Sequence, residues 1–333
     1  MKHNKAYRLL YLYDKLLKGY AIVKKEVSDY FAVDDKTIQR DIEELRAYLY
    51  EADPERDENP LQYDYQSRSY RLTKDQDCFF TKEEALVLAK ILLDSRPFIS
   101  DELKQILNKL LINIDPSQRS YLKNAILNES YHYIAPQHGK ELLTLLWQLN
   151  LCIQEHIMIN LTYSRMDGKI NDWLVEPQGL IFSEFYFYLI ARLHNSNHHN
   201  PAIFRVDRIQ SWSKTSEKFA VPYTERFEEG EFRKRIQFMY GGKLLKVKFA
   251  FWGNSLEAVL DRLPTVRIVG REDYKTILEA EVYGDGIKMW FLSQGACLEV
   301  LEPESLRREM KEIVKELADS IYFRESGWVT MGK

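Results

Sequence analysis

The apolar residues of this chain change their spacing near residue 156, and that change restricts the folds open to it. Before it, most apolar residues recur at helical intervals. After it, Ile157, Ile159, Leu161 and Tyr163 alternate with Met158, Asn160 and Thr162, the period of a half-buried strand. A purely helical bundle and a purely β domain are both excluded. With 333 residues there is room for two or three domains, so the spacing predicts a multidomain α+β chain.

The stretch Val33-Asp34-Asp35-Lys36-Thr37-Ile38-Gln39-Arg40-Asp41-Ile42-Glu43-Glu44-Leu45-Arg46 carries the clearest functional pattern. Ile38, Ile42, Leu45 and Leu49 form one apolar stripe. Asp34 stands at the N-cap, where a carboxylate accepts the free N–H groups of a first turn. Val33 and Ile38 fit a hydrophobic staple. Away from the stripe lie Lys36, Thr37, Gln39 and Arg40. Arg pairs bidentately with guanine, Gln with adenine, and Lys and Thr reach phosphates. Two short amphipathic helices precede this one: Leu9 to Leu17, ended by Gly19, and Val23 to Phe31. Three helices with a tight turn before the last make a helix-turn-helix. Residues 60–65 and 69–72 then read as two strands around a turn at Gln66-Ser67-Arg68. Such a wing brings Arg68 and Arg71 to phosphates or the minor groove. Residues 7–72, with Thr37-Ile38-Gln39-Arg40-Asp41-Ile42 at their centre, resemble the winged helix-turn-helix of the DeoR-like class.

Composition limits the partner. Lys and Arg total 47 against 50 Asp and Glu, a formal net charge of −3, so binding nucleic acid requires locally concentrated cations. No apolar run reaches the ~18 residues of a membrane span, and the polar N-terminus shows no secretory signal. A cytoplasmic protein with no membrane partner is expected. Cys78, Cys152 and Cys297 are odd in number and far apart, and read as reduced thiols. Between residues 76 and 155 a capping box at Thr81–Glu84, an Asp115-Pro116 helix start and further apolar periodicity predict a helical connector.

From Ile157 the strands follow closely. Asp167-Gly168 marks a hairpin. Residues 173–180, 185–192 and 202–209 read as further strands, which predicts a small bent antiparallel barrel. Val175-Glu176-Pro177-Gln178-Gly179-Leu180, Phe187-Tyr188-Leu189 and Phe204-Arg205-Val206-Asp207-Arg208-Ile209 resemble the signature of the WYL domain, with Phe187 in place of the namesake Trp. The resemblance implies an Sm-like or SH3-like barrel over residues 156–220 that senses a ligand, in several relatives a nucleotide or nucleic acid. It places Tyr188, Arg205 and Arg208 at the family's functional positions, with Tyr163 and Trp173 as pocket walls. On their own terms, Tyr186 and Tyr188 share a strand face with Arg192, and an aromatic face beside a guanidinium suits base stacking with phosphate pairing. Arg205, between apolar Phe204 and Val206, points away from the core. Phe187 and Leu189 read as core, and Arg208 also has Asp207 within reach as a structural partner. His194, His198 and His199 sit in an Asn-, Ser- and Pro-containing loop without a nearby Cys or acid, so no metal is expected there.

The last third reads as strand, helix, strand, strand, helix, strand, the ferredoxin-like split order. A charged amphipathic helix closes it from Pro303 to Tyr322. Met289-Trp290-Phe291-Leu292, Gly295, Leu298-Glu299-Val300-Leu301-Glu302-Pro303 and Leu306-Arg307 resemble the WCX extension of WYL regulators, which implies a domain over residues 240–325 that dimerises or gates the sensor. With a DNA-reading head over residues 1–75, the expectation is a homodimeric transcriptional repressor. It would bind an inverted-repeat operator and answer to a nucleotide or oligonucleotide effector. In such families these regulators often accompany phage-defence genes. A nucleic-acid-binding accessory subunit of a defence or repair system is the alternative. No nucleophile elbow, Walker loop or paired metal-ligand motif is present, so neither an enzyme nor a cofactor is expected.

Overall fold

The computed structural model describes residues 4–52, 60–72, 80–194, 201–221 and 226–322. It is a mixed α+β chain in two compact units, Met1–Gly139 and Lys140–Lys333.

The first unit opens with three helices: α1 (Lys5–Leu17), α2 (Lys24–Phe31) and α3 (Asp35–Glu51). Asn4 caps α1 by accepting the Tyr7 N–H, and Gly19 leaves the helix at φ +80°. The turn into α3 is made by Ala32 in the left-handed region. Asp34 Oδ1 then accepts the Thr37 N–H at 2.6 Å, the cap expected from the sequence. Leu12, Leu16, Val27, Phe31, Ile38, Ile42 and Leu45 bury one common core. The hairpin β1 (Leu61–Asp64) and β2 (Ser69–Leu72) pairs antiparallel, Leu61 opposite Leu72. Leu61 and Tyr70 join the helical core, and Tyr70 also bridges to Ile22. Under this core Arg8 of α1 forks onto Asp41 of α3, at 2.7 and 3.2 Å. Three more helices follow, α4 (Lys82–Ser95), α5 (Ser100–Ile112) and α6 (Pro116–Tyr131), packed on one another. Thr81 and Glu84 make the reciprocal capping box of α4.

In the second unit, α7 (Leu143–Glu155) lies on a sheet of β3 (Ile157–Ser164), β4 (Ile170–Ser183), β5 (Tyr186–Leu193), β6 (Ala202–Arg205) and β7 (Ile209–Lys218). The order is β6-β5-β4-β3-β7, all antiparallel. The expected barrel is not closed: β6 and β7 are the two edges of this sheet and do not pair with each other. The single strand expected over 202–209 is also broken, by one 3-10 turn at Val206–Arg208. That turn re-aims the chain so that β7 can run beside β3. Leu149 and Cys152 of α7 pack on Ile159, Leu161, Val175, Leu189 and Phe204. Burial pushes the Cys152 thiol above its ordinary value. Cys297 is half-buried and unpaired, whereas Cys78, His198 and His199 lie outside the described residues.

The other side of this sheet is covered by α8 (Glu229–Arg235), a helix that sequence reasoning did not find. Phe232, Ile236 and Met239 pack there on Ile181 and Ile190. The chain then forms β8 (Leu244–Phe251), α9 (Leu256–Arg262), β9 (Arg267–Glu272), β10 (Lys275–Tyr283), α10 (Gly284–Ser293) and β11 (Leu298–Glu302). Its antiparallel sheet has the order β11-β8-β10-β9, the split β-α-β-β-α-β arrangement. Phe249 and Phe291 are fully buried at its centre, each contributing about 1.5–3 kcal/mol. The closing helix is α-helical over α11 (Glu304–Glu316) and relaxes to a π-helical turn at Leu317–Tyr322.

Candidate nucleic-acid interface and ligand face

Four of the six residues expected to meet DNA are exposed: Lys36, Arg40, Arg68 and Arg71. Lys36 and Arg40 lie on the first turns of α3, beyond the Asp34 cap. Hydrogen bonds from the Thr37 side chain and backbone, with the charges of Arg40 and Lys36, hold the Asp34 carboxyl below its usual range. Arg68 sits at φ +51° in the hairpin turn, which Asp64 ties by accepting from Gln66 N at 2.9 Å. Most cations of this unit's first half are spent internally. Lys5, Arg8, Lys18, Lys25 and Arg46 pair with acids. Lys15 lies over Tyr11, and Lys24 is bonded to Gln39 and lies over Tyr70. Among the described residues of 5–72, the cations that make no salt bridge or ring contact are Lys36, Arg40, Arg68 and Arg71; Lys36 and Arg40 lie near Asp34 and Arg71 near Asp64.

The other two expected readers are engaged. Thr37 belongs to the cap. Gln39 is half-buried, and its Oε1 accepts from Lys24 Nζ and from Tyr70 Oη, both at 3.0 Å. Its Nε2 donates to Glu43 at 2.6 Å. The amide taken from sequence as an adenine reader is thus a strut between helix and hairpin. No local pattern announces that role, because Tyr70 is 31 residues away.

In the second unit, β5 and β6 place Tyr188 directly opposite Arg205. The Arg205 guanidinium lies 3.3 Å from the Tyr186 ring centroid, a close cation–π contact. Its Nε and Nη2 bond the two oxygens of Asp207 at 3.1 and 2.7 Å. The acid in this turn is therefore the partner of Arg205, not of Arg208. Burial alone would lower the Arg205 pKa, but Asp207 and the two tyrosines outweigh it and hold the group above its ordinary value. Burial likewise raises the Tyr188 phenol, against the pull of Arg205 and Arg208. Arg208 is half-buried and has no ion-pair partner among the described residues. Chemically, Arg205 offers a fixed flat surface with its fork already occupied, while Arg208 offers the free positive charge.

Tyr163 does not belong to this face. It is buried on the α7 side of the sheet with Phe204 at 5.1 Å, and its hydroxyl accepts the Arg205 backbone N–H. Trp173 packs into the same core. The alternation through Ile159, Leu161 and Tyr163 already carried that signal, since residues two apart share a face.

Because Asp207 is buried, Arg205→Ala is expected to destabilise the protein by about 1–3 kcal/mol, the penalty of a stranded buried acceptor. Adding Asp207→Ala should recover most of that loss. Denaturant unfolding of the single and double variants measures both. Equal losses in the two would show that the pairing does not govern stability.

Among the described residues no three His, Cys, Asp or Glu are placed to hold a metal ion. Among the described residues no helix is long and apolar enough to cross a membrane. Residues 144–213 match the WYL domain family and residues 244–318 the WCX domain family. The WYL match takes in α7, which sequence reasoning had assigned to the connector. No curated protein matches the chain. Among solved structures, Proteasome accessory factor B/C (PafBC) of Arthrobacter aurescens is 19% identical over 95% of this chain, with a TM-score of 0.30. This chain covers 49% of that one, about half its length. A CRISPR Cas-related protein is 16% identical, covers 83% of this chain and 78% of its own, and has a TM-score of 0.37. At these TM-scores neither likeness carries an argument. The two domain matches stand on their own: the chain contains a WYL domain over residues 144–213, followed by a WCX domain over residues 244–318.

Proposed function

We propose that this protein is a DNA-binding transcriptional regulator and not an enzyme. Residues 5–72 act in this reading as a winged helix-turn-helix, with α3 as recognition helix and the β1–β2 hairpin as wing. The observation that supports it is a set of exposed cations without a salt bridge. Among the described residues of this head, Lys36, Arg40, Arg68 and Arg71 are exposed and make no salt bridge or ring contact, whereas the other cations are held by acids, rings or an amide, and a protein of net charge −3 needs such local concentration to attract phosphate. Two heads of a homodimer would read an inverted repeat, since a two-fold dimer matches a two-fold operator. The Tyr186–Tyr188–Arg205–Arg208 face would receive a nucleotide or oligonucleotide effector by stacking and charge. Repression would then be relieved if the effector prefers one arrangement of the heads, because only differential affinity shifts an equilibrium. Control of phage-defence genes fits this reading.

Selection of bound duplexes from a random pool, followed by gel shifts with variants, tests it. Arg40→Ala should weaken binding to the selected site by about 1–3 kcal/mol, as loss of a base contact does. Lys36→Ala should lower affinity for all sequences and reduce the salt slope by about one. Binding without sequence preference, or unchanged by Arg40→Ala, would remove the regulator and leave an accessory nucleic-acid-binding subunit.

A further inference from the structure

A cavity of about 320 Å³ opens at the start of the WYL sheet, lined by Gln154, His156, Gln178, Phe219, Arg226 and Phe227 among others. It shares no residue with the tyrosine–arginine face. Three departures from regular structure meet there. At the end of α7, His156 is left-handed, φ 54° and ψ 42°, although it is not glycine. Its carbonyl accepts the Phe219 N–H at 3.0 Å, and its ring meets the Phe219 ring at 5.4 Å. On β4 the pairing with β5 slips between Pro177 and Gly179, so Gln178 is the bulged residue. Bulges of this kind re-aim a side chain out of the strand's alternation. Glu229 braces the bulge by accepting the Leu180 N–H at 2.8 Å. Phe227 presses so closely that a Cβ on Gly179 would come within 2.9 Å of its ring. Finally, Gln178 Nε2 is buried with no hydrogen-bond partner among the described residues. An orphaned buried amide is disfavoured unless something else satisfies it.

The lining specifies what that something is. The volume lies at the small end of ligand pockets, about 300–1,000 Å³. Phe219, Phe227 and His156 supply ring faces for a planar molecule. A Gln carboxamide presents a donor beside an acceptor, the pair that matches the edge of a nucleobase. Arg226 adds a guanidinium, suited to a phosphate. We propose that this cavity binds a mononucleotide, its base against the Phe and His rings and the Gln178 amide, its phosphate toward Arg226. The proposal concerns a site apart from the effector face and stands whether or not the regulator reading holds.

The test uses the full chain with three probes, AMP, adenosine and inorganic phosphate, followed by calorimetry and thermal melting. AMP should bind and raise the melting temperature, and adenosine should bind about tenfold or more weakly for want of the charge. Gln178→Leu, similar in size but apolar, should melt at or above the parent's temperature without ligand, because it removes an unsatisfied group. The same variant should lose AMP affinity by about tenfold or more. Arg208→Ala, which strips the free cation from the other face, should bind AMP as the parent does. The proposal is overturned if Gln178→Leu melts lower than the parent or keeps its AMP affinity. It is equally overturned if Arg208→Ala abolishes AMP binding, if phosphate alone reproduces the AMP shift, or if AMP does not bind.

Discussion

Asp41→Ala should unfold the three-helix head of the first unit while leaving the second unit intact. Arg8 and Asp41 are 10% and 2% exposed at the side chain and joined at 2.7 Å, with a second bond at 3.2 Å. Forming such a pair contributes little net stability, since two charges must leave water. Removing one partner is different, because the guanidinium stays buried with nothing to balance it. The expected loss is about 3–5 kcal/mol, a large part of the roughly 5–15 kcal/mol a domain has. Amide hydrogen exchange reads this best: α1 and α3 should lose protection while α9 and α10 serve as the internal reference. Asp34→Ala, at the exposed cap of the same helix, should lose only about 1 kcal/mol. Replacing both partners, Arg8→Met with Asp41→Leu, should restore much of the protection. Protection in Asp41→Ala close to that of the parent would mean the pair is solvated. If the proposed function holds, DNA binding should fall with the fold in Asp41→Ala although Asp41 faces the core.

Gly286→Ala should be the most damaging single methyl in the second unit. A Cβ there would stand 1.9 Å from the Gln237 carbonyl oxygen and 2.8 Å from its carbon. Both are backbone atoms, so no side-chain rotation relieves the clash. Gln237 is itself buried, just past α8, and α10 or the α8 turn must move. The expected cost is about 3 kcal/mol or more, the upper range of core overpacking. The displaced element would strain Phe232, Ile236 and Met239, whose packing covers the WYL sheet. Gly230→Ala, at the second residue of α8 with nothing within 4 Å of its Cβ, should instead stabilise, by at most about 0.5–1 kcal/mol. Thermal unfolding of the two variants should move in opposite directions. A neutral Gly286→Ala would show that α10 does not sit this close to the turn.

Much of the local structure was legible without coordinates. The caps at Asp34, Thr81 and Asp115, the turn at Asp167-Gly168 and the β-α-β-β-α-β order all stand where their signals lie. The six DNA candidates follow from side-chain chemistry and spacing, whereas the Tyr188–Arg205–Arg208 group follows from the resemblance to the WYL signature. What was missed has one character. β7 runs Ile209–Lys218 with almost no apolar alternation, because an edge strand with largely exposed residues does not need it. α8 is too short for a periodic signal, and Phe232 is buried against Ile181 and Ile190, which lie more than forty residues earlier in the chain. Gln39 looked like a free reader because its partners Lys24 and Tyr70 arrive from other elements.

The amino-acid order by itself determined which segments are helices and strands, how each begins, and that a cationic helix face and an aromatic strand face exist. Those properties depend on neighbours a few residues apart, whose spacing and capping chemistry act before any long-range contact forms. Only the tertiary structure decided that Gln39 bonds to Lys24 and Tyr70, and that the sheet stays open between β6 and β7. Each of these turns on register and on pairing between distant segments. The same side chain can bind a ligand or a neighbour, and which it does depends on what folding brings within three ångströms of it.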